Sequence, residues 1–362
     1  MAIATELIVS ELPDRWEPPL PTSRGPITER LFNALAGSPG ALESISSIEG
    51  DPLSDDDLHL ALYACYEIHY RGFSGVDARW EWNPALLNLR RQLEEVFEWG
   101  LRERFSGAAH PSSSDVKRKL NQIAGQPGPS LSKYLRDKAS LAEFRDYIIH
   151  RSAYRLKEGD PHSWVIPRLE GKAKAALVEI EFDEYGCGRA ERIHAVLFRV
   201  TMDAMGIDSR YGAYLDFIPG VTLATSNLMS MFGLHRRLRG AAVGHLVIAE
   251  MTSALSNKFQ AEGLRRLGYG ADATGFFDEH VIADSVHDMV ALHELAGGLL
   301  EQDPSLGEDI LFGASAGAGL DAAFAQYMLD SWSRKRPSLH TPATRPENLS
   351  CDVAGSGYSP GP

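Results

Sequence analysis

The stretch DEHVIADSVH, residues 278–287, carries two imidazoles and a carboxylate: His280, Asp284 and His287. On an α-helix each residue advances about 100°, so Asp284 lies about 40° to one side of His280 and His287 about 20° to the other. All three share one face. Phe276, Phe277, Val281, Ile282, Val286, Met289, Val290 and Leu292 cover much of the rest, so the helix reads as buried. A buried carboxylate between imidazoles needs a partner. Two readings compete: a hydrogen-bonded His–Asp group in the core, or a set of metal ligands.

A second segment, DEYGCGRAERIH, adds Glu184, Glu191 and His194. Glu184 to Glu191 is two turns, and Glu191 to His194 is Glu-x-x-His. Carboxylates plus an acid-x-x-His from each of two helices is how dimetal sites are built in helical bundles. The pattern alone is weak, since Asp56 and His59 also fit it as a plain helix start. The joint occurrence of the two extended patterns is more specific. Gly186 and Gly188 weaken the segment as a helix, and a break there would turn Glu184 away from Glu191. A further carboxylate is needed. Glu67, mid-helix among Leu62, Tyr63, Ala64, Cys65, Tyr66 and Ile68, is the best candidate.

The elements that must position these groups read as helices. Alternating β-branched runs hardly occur, and helical periodicity recurs. Helices are expected at about 27–36, 54–71, 84–105, 140–156, 168–184, 188–204, 221–232, 236–266, 273–301 and 306–333, with a short one inside 107–131. Ser54 is the expected N-cap of the helix that carries Glu67. The fold class is all-α. Residues 1–50 form an N-terminal arm and short helix, 51–333 the helical domain, and 334–362 a tail of disordered composition.

Bulk properties narrow the class. A net charge of −13 argues against nucleic-acid binding. Three cysteines without metal or redox spacing suit a reducing, cytoplasmic location. No apolar run is long enough to span a membrane, and the first residues lack the pattern of a secretory signal. Ser226 and Ser230 have no His and acid at triad-like positions, which leaves hydrolase chemistry a weak rival.

Taken in order, Glu67, EYGCGRAERIH and HVIADSVH resemble the haem-oxygenase-like di-iron oxidases and oxygenases, the iron-containing redox enzymes. GDPHSWVIPRLEGKAKAALVEIEFDEYGCG, YGAYLDFIPGVTLATSN and ALHELAGGLL are similar to that family as well. The resemblance covers about residues 50–333. It implies an up-and-down bundle of about seven core helices without haem. It implies one iron on Glu67, His194 and His287, another on Glu184, His280 and Asp284, and Glu191 shared between them.

Hard carboxylates with a few imidazoles suit Fe(II) or Mn(II), whereas zinc more often takes cysteine or a compact four-ligand set. Two Fe(II) ions can pass electrons jointly to O2, the co-substrate, with an external reductant, a ferredoxin-type protein or a small molecule, restoring them. The resemblance implies a small-molecule substrate, and a free amino acid is favoured, oxidised by C–H abstraction (desaturation or cyclisation) or N-oxygenation in specialised metabolism. Oxidative C–C cleavage or decarboxylation of a fatty acid or amino acid is the alternative. A non-catalytic metal- or ligand-binding bundle is the rival from another class. Tyr63, Tyr70 and Arg71 beside Glu67, and Phe198 and Thr201 after His194, are the candidate pocket residues. No nucleic-acid or membrane partner is expected, and a homodimer is left open.

Overall fold

The computed structural model describes residues 17–42, 50–106 and 111–341, with the side chains of 284–286 outside that description. Helices α1 (Pro26–Leu35), α2 (Asp56–Glu67), α3 (Pro84–Phe105), α4 (Ser113–Ala124), α5 (Leu131–Asp137) and α6 (Leu141–Arg155) come first. A single turn, α7 (Asp160–Ser163), precedes α8 (Gly171–Glu184) and α9 (His194–Ala204). Then follow α10 (Gly220–Leu234), α11 (Arg239–Arg266), α12 (Ala271–Met289), α13 (Gly297–Gln302) and α14 (Gly307–Ser333). The described residues contain no strand, and the all-α expectation holds.

Local chemistry sets many of the helix ends. Asp55, not Ser54, caps α2, accepting from the backbone N–H of Leu58, with Asp56 and Asp57 at the positive end of the helix. Ser140 and Glu143 form a reciprocal capping box on α6. Asn83 caps α3 immediately before Pro84.

The longest helices, α11 and α14, cross in contact. A Cβ at Gly244 would lie 1.8 Å from the Ile310 carbonyl oxygen, and one at Gly313 would lie 1.9 Å from that of Ala241. Only glycine permits that approach. α12 packs on α11 and α9, and α2 packs on α10.

Two apolar cores result. One gathers residues of α2, α3, α8, α10, α11 and α14. The other gathers residues of α5, α6, α9 and α12 with the end of α14. The face of α8 that carries Glu184 belongs to the first, while α9 and α12 belong to the second, so residues projecting between these helices lie on the seam.

Two departures from the expected helices concern the site. The helix expected over 188–204 begins only at His194, because Gly186, Cys187 and Gly188 all take positive φ (68°, 54° and 77°) and lead into a 3-10 turn. The helix expected over 273–301 is interrupted at Val290–Ala296 by a π-helical stretch packed against α8. The tail also differs in part. Residues up to 341 are described, and Ser338 and His340 are tied to the body through Tyr327 Oη, the Phe217 carbonyl and Asp56. Residues 342–362, and residues 1–16 of the arm, lie outside the described residues.

Candidate metal centre

Four buried side chains converge on the seam: Glu158, Glu184, His194 and His280. One ligand-type atom from each lies within 4.8 Å of the others. Each comes from a different part of the chain. Glu158 sits in the turn after α6, Glu184 is the last residue of α8, His194 the first of α9, and His280 is mid-α12.

The atoms that face one another, Glu158 Oε2, Glu184 Oε2, His194 Nδ1 and His280 Nε2, are all buried, and none of them has a hydrogen bond of good geometry. His194 Nδ1 is 2.9 Å from Glu184 Oε2, and His280 Nε2 is 3.6 Å from Glu158 Oε2. The imidazole rings of His194 and His280 have centroids 4.3 Å apart. Their acid–imidazole contacts are ion pairs that lack hydrogen-bond geometry, and a buried polar atom without a good hydrogen bond is costly. A cation on the four would remove that cost.

Tautomer and charge are prepared for it. His280 Nδ1 donates to the Phe276 carbonyl at 2.8 Å, so Nε2 is the nitrogen that faces the cluster. Metal-bound imidazoles are commonly oriented by such a bond on the other nitrogen. Arg155 pairs with Glu158 and lies over the Phe276 ring. Burial raises the pKa of Glu158, but Arg155 and His280 overcome it and hold the carboxyl down at about 2. Burial lowers that of His280, and Glu158 more than offsets it, leaving the imidazole at about 9. Two carboxylates and two imidazoles are a donor set suited to Fe(II) or Mn(II).

The seven ligands expected from the sequence are thus redistributed. Glu184, His194 and His280 come together in one group, instead of His194 standing apart at another iron. Glu67 is not in the group. It is fully buried, but its Oε2 takes a hydrogen bond from Lys157 Nζ at 2.9 Å and one from Tyr211 Oη at 2.8 Å. Glu158 stands in the place foreseen for it. Glu191 is exposed, because the left-handed residues before it end the helix and the Glu-x-x-His spacing no longer defines a helical face. His287 donates from Nε2 to Asp183 at 2.9 Å, and its Nδ1 lies 3.5 Å from Glu250 Oε2. Asp284 is one turn before it on α12, with a side chain outside the described residues.

Beside the cluster is a cavity of about 320 Å³. Glu158, Glu184 and His280 form part of its wall, together with Glu181, Glu250, Asn257 and Gln260. The five residues expected to line a pocket do not line this one. Tyr63 and Tyr70 cover the Lys157 ammonium, and Arg71 lies over the Tyr211 ring. Phe198 packs on Phe276, and Thr201 bonds the Ala273 carbonyl. They pack in the core, and neither α2 nor α9 contributes a residue to this cavity.

Glu158 was not foreseen. In YRLKEGDPHSW it reads as a charged turn residue before Gly159, and only the return of the chain toward α12 buries it. A local signal existed for Glu181, which precedes Glu184 by one turn on the same buried face of α8.

Comparison with known proteins agrees with this centre. Residues 145–322 match the family model described as iron-containing redox enzyme. The match covers just under half of the chain. All four clustered residues fall inside it. Nitrosourea synthase of Streptomyces achromogenes subsp. streptozoticus is 26% identical over 158 residues, 43% of this chain and 33% of that protein. The match therefore spans about a third of that relative's length. A CADD-like protein of unknown function from Nostoc punctiforme PCC 73102 superposes with a TM-score of 0.49 at 15% identity, covering 60% of this chain and 97% of that one. A second structure with the same description gives a TM-score of 0.48. The chain is helical and offers a buried ligand set, and among its described residues no helix is long and apolar enough to cross a membrane.

Proposed function

We propose that the chain is a nonhaem, O2-dependent di-iron oxygenase or oxidase acting on a small nitrogen-bearing substrate, most simply a free amino acid. The observation that carries this reading is the set of four buried ligand atoms on Glu158, Glu184, His194 and His280, none with a hydrogen bond of good geometry, beside a cavity of about 320 Å³. These residues would hold iron, which would supply redox chemistry with O2 suited to oxidising an unactivated C–H bond or an amine nitrogen.

The protein's own residues prepare that chemistry. Arg155 keeps Glu158 ionised and oriented. The Phe276 carbonyl holds a proton of His280 on Nδ1. The two apolar cores on either side keep bulk water from the ligands. A second iron is assigned to the His287 end of α12, where Nδ1 faces Glu250 and Asp284 lies one turn back.

Two points favour an amino acid over a fatty acid. The cavity wall carries Glu181, Asn257 and Gln260, which a hydrocarbon chain would leave desolvated and unpaired. A relative named for making a nitrosourea also points to oxidation at or near nitrogen. An external reductant, ferredoxin-type or small, would return the iron to Fe(II). The free thiols of Cys65 and Cys187 suit a reducing compartment such as the cytoplasm.

The test is O2 uptake by anaerobically iron-loaded protein with an amino-acid and fatty-acid panel, with products read by mass spectrometry. Uptake that depends on an amino acid and yields a product changed by oxygen or by loss of hydrogen supports the reading. Iron-loaded protein that consumes no O2 with any panel member supports a non-catalytic binding protein instead.

A further inference from the structure

Several buried polar groups outside the metal cluster share its cavity. Glu181 is 3% exposed, and neither of its carboxylate oxygens has a hydrogen-bond partner. It is one turn before the ligand Glu184 on α8. Its Oε2 lies against Gly159, the residue after the ligand Glu158, where a Cβ would be 3.3 Å away. The carboxyl group is therefore beside the cluster but outside it.

The strongest electrostatic neighbours of Glu181 are Glu184, Asp160, Glu250 and Glu158, all acidic. Burial first, then these neighbours, push its carboxyl well above the usual range. Arg155, a cation on the cavity wall, is already committed to Glu158, and Arg151 on the same wall bonds Asp321. Without a partner this carboxyl is held neutral, and a cation brought to it from outside the protein would ionise it.

Farther along the same wall, Asn257 is 1% exposed with both Oδ1 and Nδ2 unpaired, and the Oε1 of buried Gln260 is unpaired as well. Asn257 is two turns beyond Glu250 on α11, about 10 Å along the helix axis. Water could satisfy the two amides, but it brings no charge to Glu181.

We infer that Glu181 is the receptor for a cationic nitrogen of the substrate, an ammonium or guanidinium, and that Asn257 and Gln260 hold a second polar group at the other end. The substrate class is thus a small basic amino acid, its cationic nitrogen held next to the iron ligands. Glu181 is a specificity-determining residue that neither binds the metal nor takes part in O2 chemistry. This rests on the proposed function, because the cavity is taken as the place where substrate meets iron.

The test is equilibrium binding without turnover, by calorimetry on Mn(II)-loaded protein under anaerobic conditions. The probes are L-lysine and L-arginine against their uncharged counterparts L-norleucine and L-citrulline. Wild type should bind at least one basic amino acid about tenfold or more tightly than its uncharged counterpart, as expected for a charge-assisted hydrogen bond. Glu181→Gln should lose that preference, keep its affinity for the uncharged probe and retain full metal content.

Wild type that binds charged and uncharged probes equally, or binds neither basic amino acid, overturns the inference without recourse to any variant. Loss of metal in a folded Glu181→Gln protein also overturns it, by making Glu181 a ligand. Failure of the parent reading looks different: iron or manganese would not bind, or O2 would not be consumed, whatever the charge preference.

Discussion

His194 Nδ1 lies 2.9 Å from Glu184 Oε2, although the chain between them runs through three consecutive residues of positive φ. The contact joins the end of one helix to the start of the next. It depends on a backbone path that residues with a Cβ rarely follow. The iron site is therefore tied to the conformation of Gly186-Cys187-Gly188.

Gly186→Ala should damage the protein and the site together. Beyond the left-handed φ, worth about 1–2 kcal/mol, the new Cβ would sit 2.6 Å from Arg192 C and Ile193 N. Gly188→Ala bears only the φ cost, since nothing lies within 4 Å of a Cβ there. Urea unfolding midpoints and Fe(II) affinity should both fall further for Gly186→Ala than for Gly188→Ala. Equal effects would show that the turn does not set the Glu184–His194 contact.

Glu67→Gln should destabilise the fold and leave iron in place. Glu67 pairs with Lys157, both side chains almost wholly buried, and breaking such a pair by removing one charge costs about 3–5 kcal/mol. The cluster itself does not include Glu67. A lowered melting temperature with wild-type iron content is the expected result. Iron loss in a folded Glu67→Gln protein would restore Glu67 to the ligand set.

Metal affinity should rise with pH up to about 9. His280 and His287 are both raised to about 9 in the metal-free protein; burial opposes the shift, and neighbouring acids, Glu158 for His280 and Glu250 with Asp183 for His287, overcome it. At pH 7 each holds a proton that must leave for the nitrogen to ligate. For the metal-free fold the sign is opposite. A raised imidazole pKa contributes stability that is fully present below the unfolded value near 6.5 and is lost as pH rises through 9. Mn(II) titrations from about pH 6.5 to about 9 should show tightening binding while the metal-free protein loses stability over the same range. Binding that does not change with pH would contradict the protonated state of these two imidazoles.

The sequence was informative where chemistry and periodicity coincide. DEHVIADSVH marked His280 because three ligand-type residues recur at helical spacing inside an apolar run, although the helix is only partly buried, with Ile282 and Met289 exposed. His194 and Glu184 were legible as ligands but not as neighbours, because their contact is made by a turn whose backbone the residue types only hint at. Glu158 was not legible at all. It has no periodic context, and besides Arg155, three residues before it, its partner is His280 on α12, which the chain reaches only after a long excursion. Glu67 misled for the converse reason: a mid-helix acid in an apolar run needs a partner, and Lys157 supplies one that spacing cannot show. The cavity residues Asn257 and Gln260 look in sequence like the ordinary polar face of a long helix.

The most direct measurement of the central claim is iron per chain after anaerobic Fe(II) loading and removal of free metal, in wild type, Glu158→Ala and His280→Ala. Wild type should retain iron, at two per chain in the di-iron reading. Each variant should fall by at least one iron while keeping its helical circular dichroism. Folded Glu158→Ala and His280→Ala proteins that retain as much iron as wild type would show that the buried cluster is not the metal centre.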